Sequence, residues 1–184
     1  MPRDTRTGGV LENMVLPALE RGGYQYKKQV VIGKRLGGHS QKVDVLAWRV
    51  ESEQIPISLK WQQTSGTAEQ KVPFEILCLA DAVHKSRGRF NKAYLVLGGS
   101  GWTLREFYVS GQIREYLKDC EVVEIVSLET FVATANQSEL YLHRNLEPGG
   151  RRFFLWLSRG RRAHTQHALK RPLQSVKFRR NRVA

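Results

Sequence analysis

Asp44 and Lys60 are the residues whose types and spacing could do chemistry together. The aspartate sits in the run Lys42-Val43-Asp44-Val45-Leu46-Ala47-Trp48, and the lysine sits near the end of Ile55-Pro56-Ile57-Ser58-Leu59-Lys60-Trp61. An acid on one strand and a lysine near the end of the next can hold a divalent cation beside an attacking water. That chemistry hydrolyses phosphodiesters. The same pair could instead close a sheet edge as an ordinary ion pair.

Strand periodicity puts Ser58 and Lys60 on one face and Ile55, Ile57, Leu59 and Trp61 on the other. A lysine ending an apolar strand needs an anionic partner, and Asp44 is the expected one. Two glutamates flank apolar helical stripes. At roughly 100° per residue, Glu12 falls close to the line of Leu19 on a first helix, and Glu75 flanks Leu79 on a second. Either could lean towards the sheet; a solvated glutamate is the ordinary alternative.

The elements that must position these residues follow from the patterning. Leu11, Met14, Val15, Ala18 and Leu19 mark a first helix that Pro17 should kink or shorten and Gly22-Gly23 should end. Strands are expected at 24–32, 42–50 and 55–61, with a Gly-rich loop at 33–40 and a polar turn at 51–54. A second helix carries Val72, Ile76, Leu79, Ala80 and Val83, with Pro73 disturbing its first turn. Thr67 and Gln70 have capping-box spacing at its start. The continuous apolar run at 93–97 reads as a strand buried on both faces. A helix at 103–117, a strand at 121–126 and a short helix at 128–136 follow. The order is α-β-β-β-α-β-α-β-α, an antiparallel meander feeding a parallel strand through a crossover helix, and hence a mixed α/β sandwich.

Charge divides the chain. From Pro148 onward there are 11 Lys/Arg and no Asp/Glu, whereas residues 1–147 hold the other 19 basic and all 17 acidic residues, a net of +2 out of +13. The expected organisation is a folded domain over 1–147 and a basic, partly disordered C-terminal extension over 148–184. Such an extension attracts polyanions, nucleic acid above all. Phe153, Phe154 and Trp156 suggest that part of it docks, which would make Arg159, Arg161 and Arg162 a phosphate clamp. Ser65 in the polar loop beside the presumed site and Lys71 just after it could track a DNA backbone, with Lys71 on a phosphate. No apolar run is long enough for a membrane helix, no N-terminal signal segment is evident, and Cys78 and Cys120 read as reduced core thiols. A cytoplasmic location is expected.

With Glu12, Asp44, Ser58, Leu59, Lys60 and Glu75 in this order, the sequence resembles the PD-(D/E)XK nuclease superfamily over roughly residues 8–136. The resemblance implies a restriction-endonuclease-like αβββαβ core, with a mixed sheet flanked by helices. It also implies a Mg²⁺-dependent DNA endonuclease of restriction or homing type, with Mn²⁺ a substitute. Asp44 would hold the metal with the backbone carbonyl of Leu59, Lys60 would polarise the attacking water, and Glu12 would be the supporting first-helix acid. Val43 stands where the family has a proline. Ser58 stands where the (D/E) carboxylate belongs. One restriction-enzyme branch has a serine there and carries the acid on the following helix; Glu75, 15 positions after Lys60, resembles that acid, and Glu69 is an alternative. Gln62, like Gln63, could orient water or contact the phosphate. The alternatives are a catalytically inactive nucleic-acid-binding domain of the same fold, or a structure-specific junction resolvase. Double-strand cutting by one site per chain implies a homodimer or higher homo-oligomer.

Overall fold

The first helix meets Pro17 by widening rather than breaking. A computed structural model describes residues 9–50 and 53–141, with only the backbone of Leu11 and Glu12. A π-helical stretch, Leu11–Val15, leads into α1 (Leu16–Arg21), and Pro17 falls in the first turn of α1, where a missing N–H costs nothing.

Five strands follow in the sheet order β1-β2-β3-β4-β5: β1 (Gln25–Lys34), β2 (Ser40–Trp48), β3 (Ile55–Trp61), β4 (Ala93–Gly98) and β5 (Val123–Ser127). The first three pair antiparallel, while β4 and β5 add in parallel through crossovers. The helices are α2 (Ala68–Lys85), α3 (Arg105–Val109) and α4 (Leu128–Asn136). The sheet is covered on both faces. Leu16, Ala18 and Leu19 of α1 and Phe131 and Ala135 of α4 pack on Val45, Ile57, Leu59, Tyr94 and Val96. On the other face Val72, Ile76, Leu79 and Val83 of α2 pack on Val43, Leu46, Leu95 and Leu97. β3 contributes its apolar residues to the first layer, which leaves Ser58 and Lys60 to face α2.

One expected helix is broken. Residues 103–117 form α3 and a separate 3-10 turn, Gln112–Glu115, divided at Gly111, whose φ of 83° no helix accommodates. The expected Thr67 capping box also does not form: Thr67 makes no side-chain cap bond, and Gln62 Oε1 accepts the Ala68 N–H at 3.1 Å instead. Cys78 and Cys120 are buried and free. Among the described residues no helix is long and apolar enough to cross a membrane.

Pro73 lies inside α2 and cannot donate to the Glu69 carbonyl, its i−4 partner. The Tyr108 hydroxyl of α3 donates to that carbonyl at 3.1 Å and fills the gap. Tyr108→Phe should therefore lower stability by about 1 kcal/mol, a Tm drop of about 2–4 °C. An unchanged melting curve would show that solvent satisfies the carbonyl equally well.

Candidate active site

β2 and β3 part company at Asp44. Their ladder pairs Ala47 with Ile55, Leu46 with Pro56 and Val45 with Ile57, and ends there. Side-chain alternation slips at the same place, since Val43 and Leu46 pack with α2 while Val45 and Ala47 pack on the opposite face. Opposite Asp44 on β1, Gln29 has a φ of 54° and drops out of the β1–β2 register. Irregularities of this kind re-aim side chains at sheet edges and active sites. Asp44 takes over the lost ladder contacts: Oδ2 accepts the Leu59 N–H at 2.7 Å, and Oδ1 accepts from Gln29 Nε2 at 3.2 Å. In an extended strand a residue's N–H and C=O point to the same neighbour. The Leu59 carbonyl therefore opens into the fork on the Asp44 side.

Glu75 reaches the other side of the same strand end from the second turn of α2. It is only 6% exposed. Its Oε1 accepts from the Ser58 hydroxyl at 3.0 Å and from Gln41 Nε2 at 3.3 Å. Its Oε2 lies 3.5 Å from both Lys60 Nζ and Arg35 Nη2. Lys60 Nζ also donates to Ser58 Oγ at 3.1 Å. The anionic partner of Lys60 is thus Glu75 rather than the expected Asp44. Ser58, the departure from the expected carboxylate, is the hydroxyl that ties the lysine to the helix acid.

The remaining expected residues are placed as follows. Gln62 is 5% exposed and turned away, with Nε2 donating to the Gly101 carbonyl at 2.7 Å and Oε1 capping α2. It joins the β3–α2 and β4–α3 loops, which run so close that a Cβ at Gly99 would sit 2.2 Å from the Gln62 carbonyl oxygen. Glu69, the alternative acid, accepts from the backbone N–H groups of Thr103 and Leu104 at the start of α3. Lys71 and Ser65 are exposed, on α2 and on the loop before it. The Glu12 side chain and Arg159, Arg161 and Arg162 lie outside the described residues. Gln41, Arg35 and Gln29 were not anticipated. Gln41 carried a weak signal, a strand amide three residues before Asp44; Arg35 carried none.

The donor set suits a hard cation, which takes carboxylate and carbonyl oxygens. Asp44, Glu75 and the Leu59 carbonyl supply these, and Gln41 Oε1, on the residue beside Glu75, is buried with no hydrogen-bond partner. Among the described residues no three His, Cys, Asp or Glu side chains converge. Asp44 and Glu75 would leave the remaining positions of a divalent cation to water and substrate oxygen.

An αβββαβ core with an acid, a lysine and a helix-borne second acid around one strand end defines a restriction-endonuclease-like protein. Residues 3–139 match the PD-(D/E)XK nuclease superfamily domain, and the chain belongs to that superfamily. Among solved structures the chain is similar to a protein of unknown function, AF1548, at 16% identity and a TM-score of 0.39, over 61% of this chain and 54% of that one. This chain therefore spans about half the length of that protein. No curated protein matches.

Proposed function

We propose that the chain is a metal-dependent endodeoxyribonuclease that hydrolyses phosphodiester bonds, with Mg²⁺ as its cation and Mn²⁺ as a substitute. The observation that carries this reading is Glu75 beside Ser58 and Lys60, a carboxylate where the strand itself lacks one. Asp44, Glu75 and the Leu59 carbonyl would hold the cation, with Glu12 as the supporting acid. A bound divalent cation lowers the pKa of its water and offsets charge at the phosphorus.

The protein's own groups do the positioning. An ammonium has three donors. Lys60 directs one at Ser58 and pairs with Glu75, which leaves donor capacity for the attacking water or a phosphate oxygen. Because the hydrogen bond to Ser58 fixes its head group beside Glu75, Lys60 is aimed before substrate arrives. The 148–184 extension would add sequence-independent affinity for the DNA backbone, and double-strand cutting would use a homodimer or higher homo-oligomer.

Plasmid and oligonucleotide cleavage with Mg²⁺, Mn²⁺ or EDTA tests the reading. The expected result is metal-dependent cutting that falls by at least about a hundredfold in Asp44→Ala and in Lys60→Ala, several kcal/mol of transition-state stabilisation. Cutting that persists in both variants overturns the site. A wild type that binds DNA and cuts nothing is the inactive binding domain instead.

A further inference from the structure

We propose that the β1–β2 hairpin is a second nucleic-acid-contacting element of this chain, and that Arg35 at its turn is a substrate-contacting residue that leaves Glu75 to grip a backbone phosphate. The proposal rests on the nuclease reading and adds to it a surface and a residue.

Between Gln25 and Val43 the chain carries Lys27, Lys28, Lys34, Arg35 and Lys42 and no acid. The body's small net charge conceals this local excess. Lys34 and Lys42 are exposed at the turn end of the hairpin, next to the fork that holds Asp44. Lys34, Arg35 and Lys42 thus form a basic ridge at the turn end, beside the reacting centre, and such a ridge fits a polyanion backbone.

Arg35 is the member of this ridge that reaches the site. Its backbone closes the turn, with its N–H donating to the His39 carbonyl at 2.8 Å and its carbonyl accepting from Gly38 at 2.9 Å. Its side chain runs back over α2, where the guanidinium stacks on Phe74 at 5.1 Å and Nη2 lies 3.5 Å from Glu75 Oε2. Charge-assisted hydrogen bonds are shorter, about 2.7–2.9 Å, so this is a loose pairing. Arg35 Nε is buried with no hydrogen-bond partner. The guanidinium is thus oriented by stacking and only partly satisfied. A phosphate offers two oxygens that Nε and Nη2 together can bind as a fork.

Glu75 Oε2 faces two cations at once. When Glu75 commits to another partner, one of them must find a new anion. Lys60 is anchored by Ser58 on a central strand. Arg35 sits at the end of an edge strand, on a turn with consecutive positive-φ glycines, Gly37 and Gly38. Arg35 is the one placed to move.

The test measures binding of a DNA duplex to the full chain in Ca²⁺ across a salt series, alongside Mn²⁺ titration of the chain without DNA. For Arg35→Ala the expected result is weaker DNA binding, a log–log salt slope shallower by about one, and Mn²⁺ affinity equal to wild type or tighter. An unchanged salt slope overturns the proposal and leaves Arg35 as a counter-ion of Glu75; weakened Mn²⁺ binding overturns it in favour of a scaffolding role. If Arg35→Ala does not fold, Arg35→Lys decides: the slope should persist while single-turnover cleavage falls about tenfold, and wild-type cleavage in that variant overturns the fork. A wild type that binds no DNA fails the nuclease reading itself, a different outcome from a variant that matches a binding wild type.

Discussion

Glu75→Gln is expected to abolish metal-dependent cleavage, by at least about a hundredfold, while leaving the metal-free fold almost as stable as before. The reasoning separates a site residue from a structural one. Glutamine keeps the length of the side chain and can still accept from Ser58 and Gln41, the two hydrogen bonds that hold Glu75 in place. It removes a carboxylate that is 6% exposed and whose burial carries a desolvation cost. The two cations left behind are not trapped: the side chains of Lys60 and Arg35 are 25% and 34% exposed and can rehydrate. The metal-free Tm should therefore stay within about 4 °C of wild type. The rise in Tm expected of the wild type with Mg²⁺ or Mn²⁺, from binding to the folded state alone, should disappear. Calorimetry with and without the ion reads both effects. A Tm drop far beyond this range with the metal-induced rise intact would mark Glu75 as a structural ion-pair partner.

The legible parts of the fold were those set by local periodicity. Residues 55–61 alternate cleanly, so β3 and the shared face of Ser58 and Lys60 followed from the sequence, as did α4, where the Ser127 hydroxyl accepts the Thr130 N–H as a helix cap. The order of these elements supplied the antiparallel meander and the crossover to a parallel strand. What local pattern could not resolve was contact between distant segments. Asp44 and Glu75 lie at nearly equal sequence distances either side of Lys60, and only the docking of α2 on the sheet decides which one pairs with it. Gln62 looked like a site residue because it follows the lysine strand, but the chain turns there and its amide goes to Gly101 and Ala68. The break at Gly111 was visible as a glycine, yet its left-handed φ is imposed by the turn that packs Ile113 into the core. Arg35 and Gln41 enter the site because the hairpin folds over α2, a tertiary event with no motif of its own.

Moving the acid back onto the strand should rescue what Glu75→Gln loses. In Ser58→Asp/Glu75→Gln the carboxylate returns to the position the family motif gives it, two residues before Lys60, and the new amide on α2 could donate to it. Cleavage is expected to recover at least about tenfold over Glu75→Gln alone, the size of a single restored interaction of about 1.4 kcal/mol. Full recovery is not expected, because Ser58 is 1% exposed and the larger side chain strains a packed position by about 1–3 kcal/mol. Ser58→Asp by itself should behave differently. Its carboxylate would face Glu75 across the present 3.0 Å hydroxyl contact, and two like charges so close destabilise the metal-free chain until a cation binds between them. That single variant should therefore melt lower than wild type without metal and show a larger Mg²⁺-induced rise in Tm. If the double variant cuts no better than Glu75→Gln while still gaining stability from Mg²⁺, the acid's place on α2 matters for more than its charge. Glu75 would then owe its role to the way it aims Lys60 through Ser58, which the strand position cannot reproduce.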